Sequence, residues 1–185
     1  MKERPIDPRM LNVAQLCHDA GNLAGQWPLA GMKRLCDGLF EQPDAASLID
    51  WSAGGALLPA SGGEPQVWLH LRAQVAVTLQ CQRCLQAVVQ PLAVDRRLRF
   101  VRSEAEAERL DEASDDDVLV LIPRLDLHEL TEDELILVLP LVPRHEDPCP
   151  EPLPMPVDDL PDEEPAPNPF AALAALRNRR GADKG

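Results

Sequence analysis

The chain has 185 residues, 45% hydrophobic and 3% aromatic, with no Tyr, which suits one domain with tails and a modest core of Leu, Val and Ala. Its formal net charge of −13 is uneven: Lys+Arg against Asp+Glu runs 11 to 9 over residues 1–102, 3 to 21 over 103–164 and 4 to 1 over 165–185. Such a chain disfavours broad binding to phosphate backbones, and its acidic block suits a basic partner protein or a solubilising tail.

No opening stretch joins a charged start to a continuous apolar run, and no run approaches the ~20 apolar residues of a membrane span. Five cysteines (Cys17, Cys36, Cys81, Cys84 and Cys149) without an export signal point to a reducing cytoplasm. A disulfide framework is not expected there, and C-x-x-C leans toward metal or redox chemistry.

In chain order, residues 1–30 are mixed, with Pro5, Pro8 and Pro28 limiting regular structure. "GMKRLCDGLF" has Met32, Leu35, Cys36 and Leu39 at i, i+3, i+4, i+7, which predicts a short helix with Cys36 as a small core residue. "SLIDWSAGGALL" reads as a strand entering a turn, and "PASGGEP" as a loop. From Val67 to Cys81 the odd positions are apolar and most even ones polar, with Trp68 and Ala76 as exceptions; this is a half-buried strand with His70 on its solvent side.

The alternation resumes at Val88, Leu92, Val94, Leu98 and Phe100, interrupted by Gln90 and Arg96, with Asp95, Arg97 and Arg99 on the other parity. The two runs predict an antiparallel hairpin with Cys81 and Cys84 at its tip. Residues 103–117 form a charged loop or loose helix, and "VLVLIP" a short buried strand ended by Pro123. "LDLHELTEDELILVLP" predicts a helix capped by Asp126 and stopped by Pro140, unless "TEDE" is a capping box that moves its start to Thr131. Its carboxylates at 129–134 read as a solvated face. The folded domain is expected over 1–145, with its core in 30–145. An acidic Pro-rich linker follows over 146–167, then an amphipathic docking helix over 168–180 with the stripe Phe170, Leu173, Leu176.

The chemistry concentrates on the cysteines. Cys81-x-x-Cys84 has a complement in His145-x-x-x-Cys149, together a Cys₃His set suited to tetrahedral zinc. A bare pair of thiols and a redox dithiol remain alternatives, although the redox reading lacks the helix N-terminus that would lower a thiol pKa. No G-x-S-x-G, H-E-x-x-H, P-loop or G-x-G-x-x-G motif is present, and His18 and His128 stand alone. Arg96, Arg97, Arg99 and Arg102, with Arg72 and Arg83 nearby, make a basic patch that suits RNA phosphates or the acidic block beside it.

The order of the pieces carries a resemblance. A strand ending in "CQRCL", then "DLHELTEDELILVLPLVPRH", a Cys, an acidic Pro-rich linker and "NPFAALAALRNRR" resemble the YceD family, the large ribosomal RNA subunit accumulation proteins of bacteria and plastids. The resemblance covers roughly residues 65–180, and Cys81, Arg83, Cys84, Glu132, Asp133, Glu134, Pro140, His145 and Cys149 match its signature positions. It implies a role in synthesis, processing or stability of 23S rRNA, with no catalytic activity, and does not decide whether the cysteines hold metal.

The expectation is therefore an α+β domain, a small antiparallel meander of about four strands with a packed helix, serving as a non-enzymatic ribosome-biogenesis factor. A ribosomal protein or large-subunit assembly factor would be bound through the acidic block and terminal helix, with Arg83, Arg96, Arg97, Arg99 and Arg102 toward RNA. No membrane and no small-molecule substrate are expected. The rival readings are a redox or zinc-dependent enzyme using Cys81 and Cys84, and an interaction adaptor unrelated to ribosomes.

Overall fold

The computed structural model describes residues 6–60, 62–113, 117–146 and 148–150. Four strands follow one another as an antiparallel meander: β1 (Asn22–Pro28), β2 (Leu48–Leu58), β3 (Gln66–Gln80) and β4 (Ala87–Val101). The expected hairpin is β3–β4, in register from Val67↔Phe100 to Gln80↔Ala87. That register puts odd β3 residues and even β4 residues on one face. Leu69, Leu71, Ala73, Val77 and Leu79 are buried there against Leu92, Val94, Leu98 and Phe100.

Two features depart from the expected four-strand antiparallel sheet. The strand expected in "VLVLIP" forms as β5 (Asp117–Val120), but it lies at the far edge and runs parallel to β4. Parallel pairing needs a crossover, and the charged stretch supplies it as a helix over Glu104–Asp111, whose N-cap Ser103 accepts from the Glu106 amide. β5 is half-buried rather than fully buried, as an edge strand is. At the other edge, β1 is the additional strand, formed within a segment whose prolines were expected to limit regular structure. Its inward residues are Leu23, Gly25 and Trp27, and Gly25 leaves room for the Trp51 indole stacked on Trp27 at 4.2 Å between centroids.

Helices α1 (Val13–His18), α2 (Lys33–Asp37) and α4 (Leu127–Leu137) contribute to the core on the inner face, and the Glu104–Asp111 helix is α3. α1 comes so close to β2 that a Cβ on Gly55 would sit 2.7 Å from the Cys17 amide nitrogen, which explains the glycine in "WSAGG". Leu11, Val13 and Leu16 are buried, and reciprocal 2.9 Å backbone hydrogen bonds tie Leu11 to Leu125 at the entry to α4. The first sixty residues thus form part of the same core as the hairpin. Cys36 is buried with its thiol on the Leu29 carbonyl, as the short-helix reading requires.

α3 lies against β4 and β5, where Val101 on the outer parity is buried, and among the described residues no helix is long and apolar enough to cross a membrane. The acidic Pro-rich linker and docking helix expected over 146–167 and 168–180 fall, from residue 151 onward, outside the described residues, Phe170, Leu173 and Leu176 with them.

Candidate metal centre

The β3–β4 connection builds the first half of the site. Cys81 donates its amide to the Gln86 carbonyl at 2.9 Å, and the Leu85 amide returns to the Cys81 carbonyl at 2.8 Å. Leu85 closes this reversal in the left-handed region, at φ 62°. The tight turn aims the amides of Arg83 and Cys84 back at the Cys81 sulfur. The second half arrives after α4, where the Gln82 amide donates to the Pro143 carbonyl at 2.8 Å and docks the helix exit on the hairpin tip. His145 and Cys149 follow that anchor.

The four side chains meet. The Sγ atoms of Cys81, Cys84 and Cys149 and a ring nitrogen of His145 all lie within 4.8 Å of one another. Cys81 Sγ is 3.9 Å from Cys149 Sγ, and Cys84 Sγ is 3.4 Å from His145 Nδ1. A tetrahedron with Zn–S of about 2.3 Å and Zn–N of about 2.0 Å has S···S edges near 3.8 Å and S···N edges near 3.5 Å. The spacing fits that polyhedron, whereas a disulfide requires about 2.05 Å, and all five cysteines are free.

The surroundings suit the same use. His145 Nε2 lies 2.9 Å from the Ala87 carbonyl, so the proton belongs on Nε2 and the Nδ1 lone pair faces the sulfurs. Arg83 donates through Nε to Cys149 Sγ at 3.1 Å. Burial opposes ionisation of the Cys81 thiol, but amides of Cys84, Arg83 and His145 together with the Cys84 side chain outweigh it and lower the thiol to about 5. Burial raises the Cys84 thiol, and neighbouring Cys81 and Cys149 raise it further. A cation among them relieves both effects. The pair sits in a strand-to-strand turn, not at a helix N-terminus, and its sulfurs are buried.

The carboxylates of α4 were expected on a solvated face; Glu132 and Glu134 are instead buried. α4 starts at its Asp126 cap, which accepts from the His128 and Glu129 amides, and Thr131 is an interior residue bonded to the Leu127 carbonyl. Glu132 Oε1 accepts the Arg34 and Leu35 amides of α2 at 2.7 and 3.2 Å, and its Oε2 faces the Arg34 guanidinium at 3.1 Å. Asp133 takes another nitrogen of that guanidinium. The reason is local: a five-residue helix leaves its first amides without intrahelical partners, and a buried carboxylate satisfies them. Arg34 is the partner that sequence reasoning missed, and no local pattern marks a residue 98 positions away.

Glu134 completes the trio, with Oε2 at 3.3 Å from Arg96 Nε but no hydrogen bond to that oxygen. Burial raises its pKa; Arg96 opposes this and Asp117 adds to it. A carboxyl raised in the folded state holds its proton more tightly there than in the unfolded chain, so ionising it costs stability. That cost is absent below the unfolded pKa and complete above the folded one. Glu134→Gln is therefore expected to match or exceed the parent in Tm at neutral pH, with the gap narrowing as pH falls into the ordinary carboxylate range. A parent clearly more stable than the Gln variant at neutral pH would contradict this account.

The basic patch divides. Arg96 lies on the inner parity and also meets Asp117 at 3.5 Å, so it pairs with acidic residues as one of its two readings supposed. Arg102 pairs with Glu64, Arg72 with Asp95, and Arg83 belongs to the cysteine cluster. Arg97 and Arg99 stay on the outer face, opposite His70 and Trp68. His70 is half-exposed beside Asp95, His18 is exposed beside Asp19, and His128 is buried edge-on to Trp27.

Fold and cluster together define a class: a small α+β domain in which a hairpin tip and a helix exit meet in a closed Cys₃His set. A family model, "Large ribosomal RNA subunit accumulation protein YceD", matches residues 69–177, which take in the cluster and the three carboxylates. The chain belongs to the YceD family. A protein of Haemophilus influenzae named "Large ribosomal RNA subunit accumulation protein YceD" is 36% identical over 111 residues, covering 58% of this chain and 64% of that relative. The chain thus spans less than two thirds of that relative's length. No solved structure matches.

Proposed function

We propose that this protein is a non-enzymatic factor for accumulation of large-subunit ribosomal RNA, acting in the cytoplasm on the synthesis, processing or stability of 23S rRNA. Family membership carries the reading, because the matched stretch contains both the cysteine cluster and the carboxylates that hold α2. The cluster is the second support. Four protein side chains close a tetrahedral set and leave no position for substrate, which is the form of a structural zinc site. Zinc(II) would be held by Cys81, Cys84, His145 Nδ1 and Cys149, and would pin the hairpin tip to the helix exit.

The partner is a ribosomal protein or assembly factor of the large subunit. The exposed acidic side chains of α3, Glu104 and Glu108, suit a basic one. The redox reading draws on the lowered Cys81 thiol, but its buried sulfur offers a substrate no access. Sucrose-gradient sedimentation of lysate carrying tagged protein tests the proposal. Co-migration with large-subunit precursors, together with capture of large-subunit proteins, is expected. If neither pre-50S particles nor those proteins co-purify above background, the assembly role fails.

A further inference from the structure

The face of the sheet away from α1, α2 and α4 carries a feature that the metal centre does not use. Trp68 stands on the outer parity of β3, where the alternation otherwise sets polar side chains. Beside it, Gly54 and Ala56 of β2 keep the surface low, and with Leu58, Trp68, His70, Asp95 and Arg97 they line a depression of about 310 Å³. The indole is only partly exposed and is fixed in place, with Nε1 donating to Gln66 Oε1 at 3.0 Å. Its ring, not its polar edge, is what remains for a ligand.

The charges around this ring are not equivalent. Asp95, the carboxylate in the lining, is bound by both His70 and Arg72. Arg97 has no carboxylate partner among the described residues; its guanidinium carbon sits 5.8 Å from the Trp68 ring centroid. An arginine held by a cation–π contact alone gives up little when it swings off the ring. The movement exposes the indole face and keeps a cation beside it.

We propose that this depression binds single-stranded RNA, with an unpaired base stacked on Trp68 and the adjoining phosphate on Arg97; the proposal rests on the ribosomal RNA reading above. The volume is ample for a purine. A duplex keeps its bases stacked inside and offers nothing to the ring, whereas single strands are commonly held by base–aromatic stacking along a basic track. An acidic peptide would use Arg97 and leave the indole idle.

Fluorescence anisotropy of the full chain with a labelled single-stranded RNA of about twelve nucleotides tests this. Binding stronger than roughly 100 μM is expected at moderate salt. Trp68→Ala should weaken it by about fivefold or more, and Trp68→Phe, which keeps an aromatic face, should recover most of the loss. Arg97→Ala should weaken binding and reduce the salt slope by about 0.7. Ala56→Leu, which fills the depression without removing a contact, guards against a folding artefact; it should also weaken binding, with the melting curve unchanged.

Equal affinity for parent and Trp68→Ala, equal affinity for duplex of the same sequence, or loss confined to Arg97→Ala would each overturn the proposal, the last in favour of an acidic peptide. Gradient sedimentation separates the two levels. If Trp68→Ala co-migrates with large-subunit precursors as the parent does, and the parent binds no RNA, this proposal falls and the assembly reading stands. If the parent itself does not co-migrate, the assembly reading falls.

Discussion

Cys81→Ser with Cys84→Ser is expected to strip the protein of zinc and lower its Tm by about 10 °C or more. The magnitude follows from linkage. A metal at a thousandfold excess over its dissociation constant stabilises the folded state by about 4 kcal/mol, and a chain of this size shifts by roughly 2–4 °C per kcal/mol. The effect is large because the tip and the helix exit share few other ties; the described backbone bond between them is Gln82 to Pro143. The sheet and its helices bury Leu69, Leu71, Leu35 and Leu135 away from the tip, so the domain should loosen rather than unfold outright. Elemental analysis of protein purified without chelator, paired with melting curves before and after chelation, gives the readout. Metal-free protein whose melting ignores both chelator and the serine substitutions would rule the site out. An intact fold with lost thiol reactivity and lost function would favour the redox reading instead.

Glu132→Ala should cost about 3 kcal/mol, against a few tenths for Glu129→Ala on the exposed side of the same helix. The difference is one of partners. Glu132 accepts two amides of α2 and faces the Arg34 guanidinium from a buried position, so its removal orphans the start of that helix. Glu129 lends only a backbone carbonyl to Arg34, which alanine retains. Urea denaturation should show a lower midpoint with an unchanged slope. A Glu132→Ala midpoint within error of the parent would mean that the carboxylate is dispensable and that the buried contacts of α2 hold it alone.

These two sites show how far local pattern reaches. The alternation of residues 67–81 and 88–100, despite breaks at Trp68, Ala76, Gln90 and Arg96, set the two long strands, their inward faces and the turn between them, since a period of two is a property of the strand itself. The Asp126 cap and Pro140 bracketed α4 for the same reason. The spacings in Cys81-x-x-Cys84 and His145-x-x-x-Cys149 named four side chains that belong together chemically, and the chain carries them to one point. Trp68 was visible as a break in the alternation, with nothing local to say what it faced.

What the chain alone determined, then, was periodicity, caps and ligand type, because each is written within a few residues. Tertiary structure decided the rest. It set β5 parallel by routing the chain through α3, and it buried Glu132 and Glu134 by laying α4 over α2 and β4. It gave the inward Arg96 a partner in Glu134 and set Arg97 over Trp68, and it closed the distance between Cys81 and Cys149, 68 positions apart, to 3.9 Å. Contacts at such separations leave no local trace, since the residues that make them acquire their surroundings only when distant segments share a core.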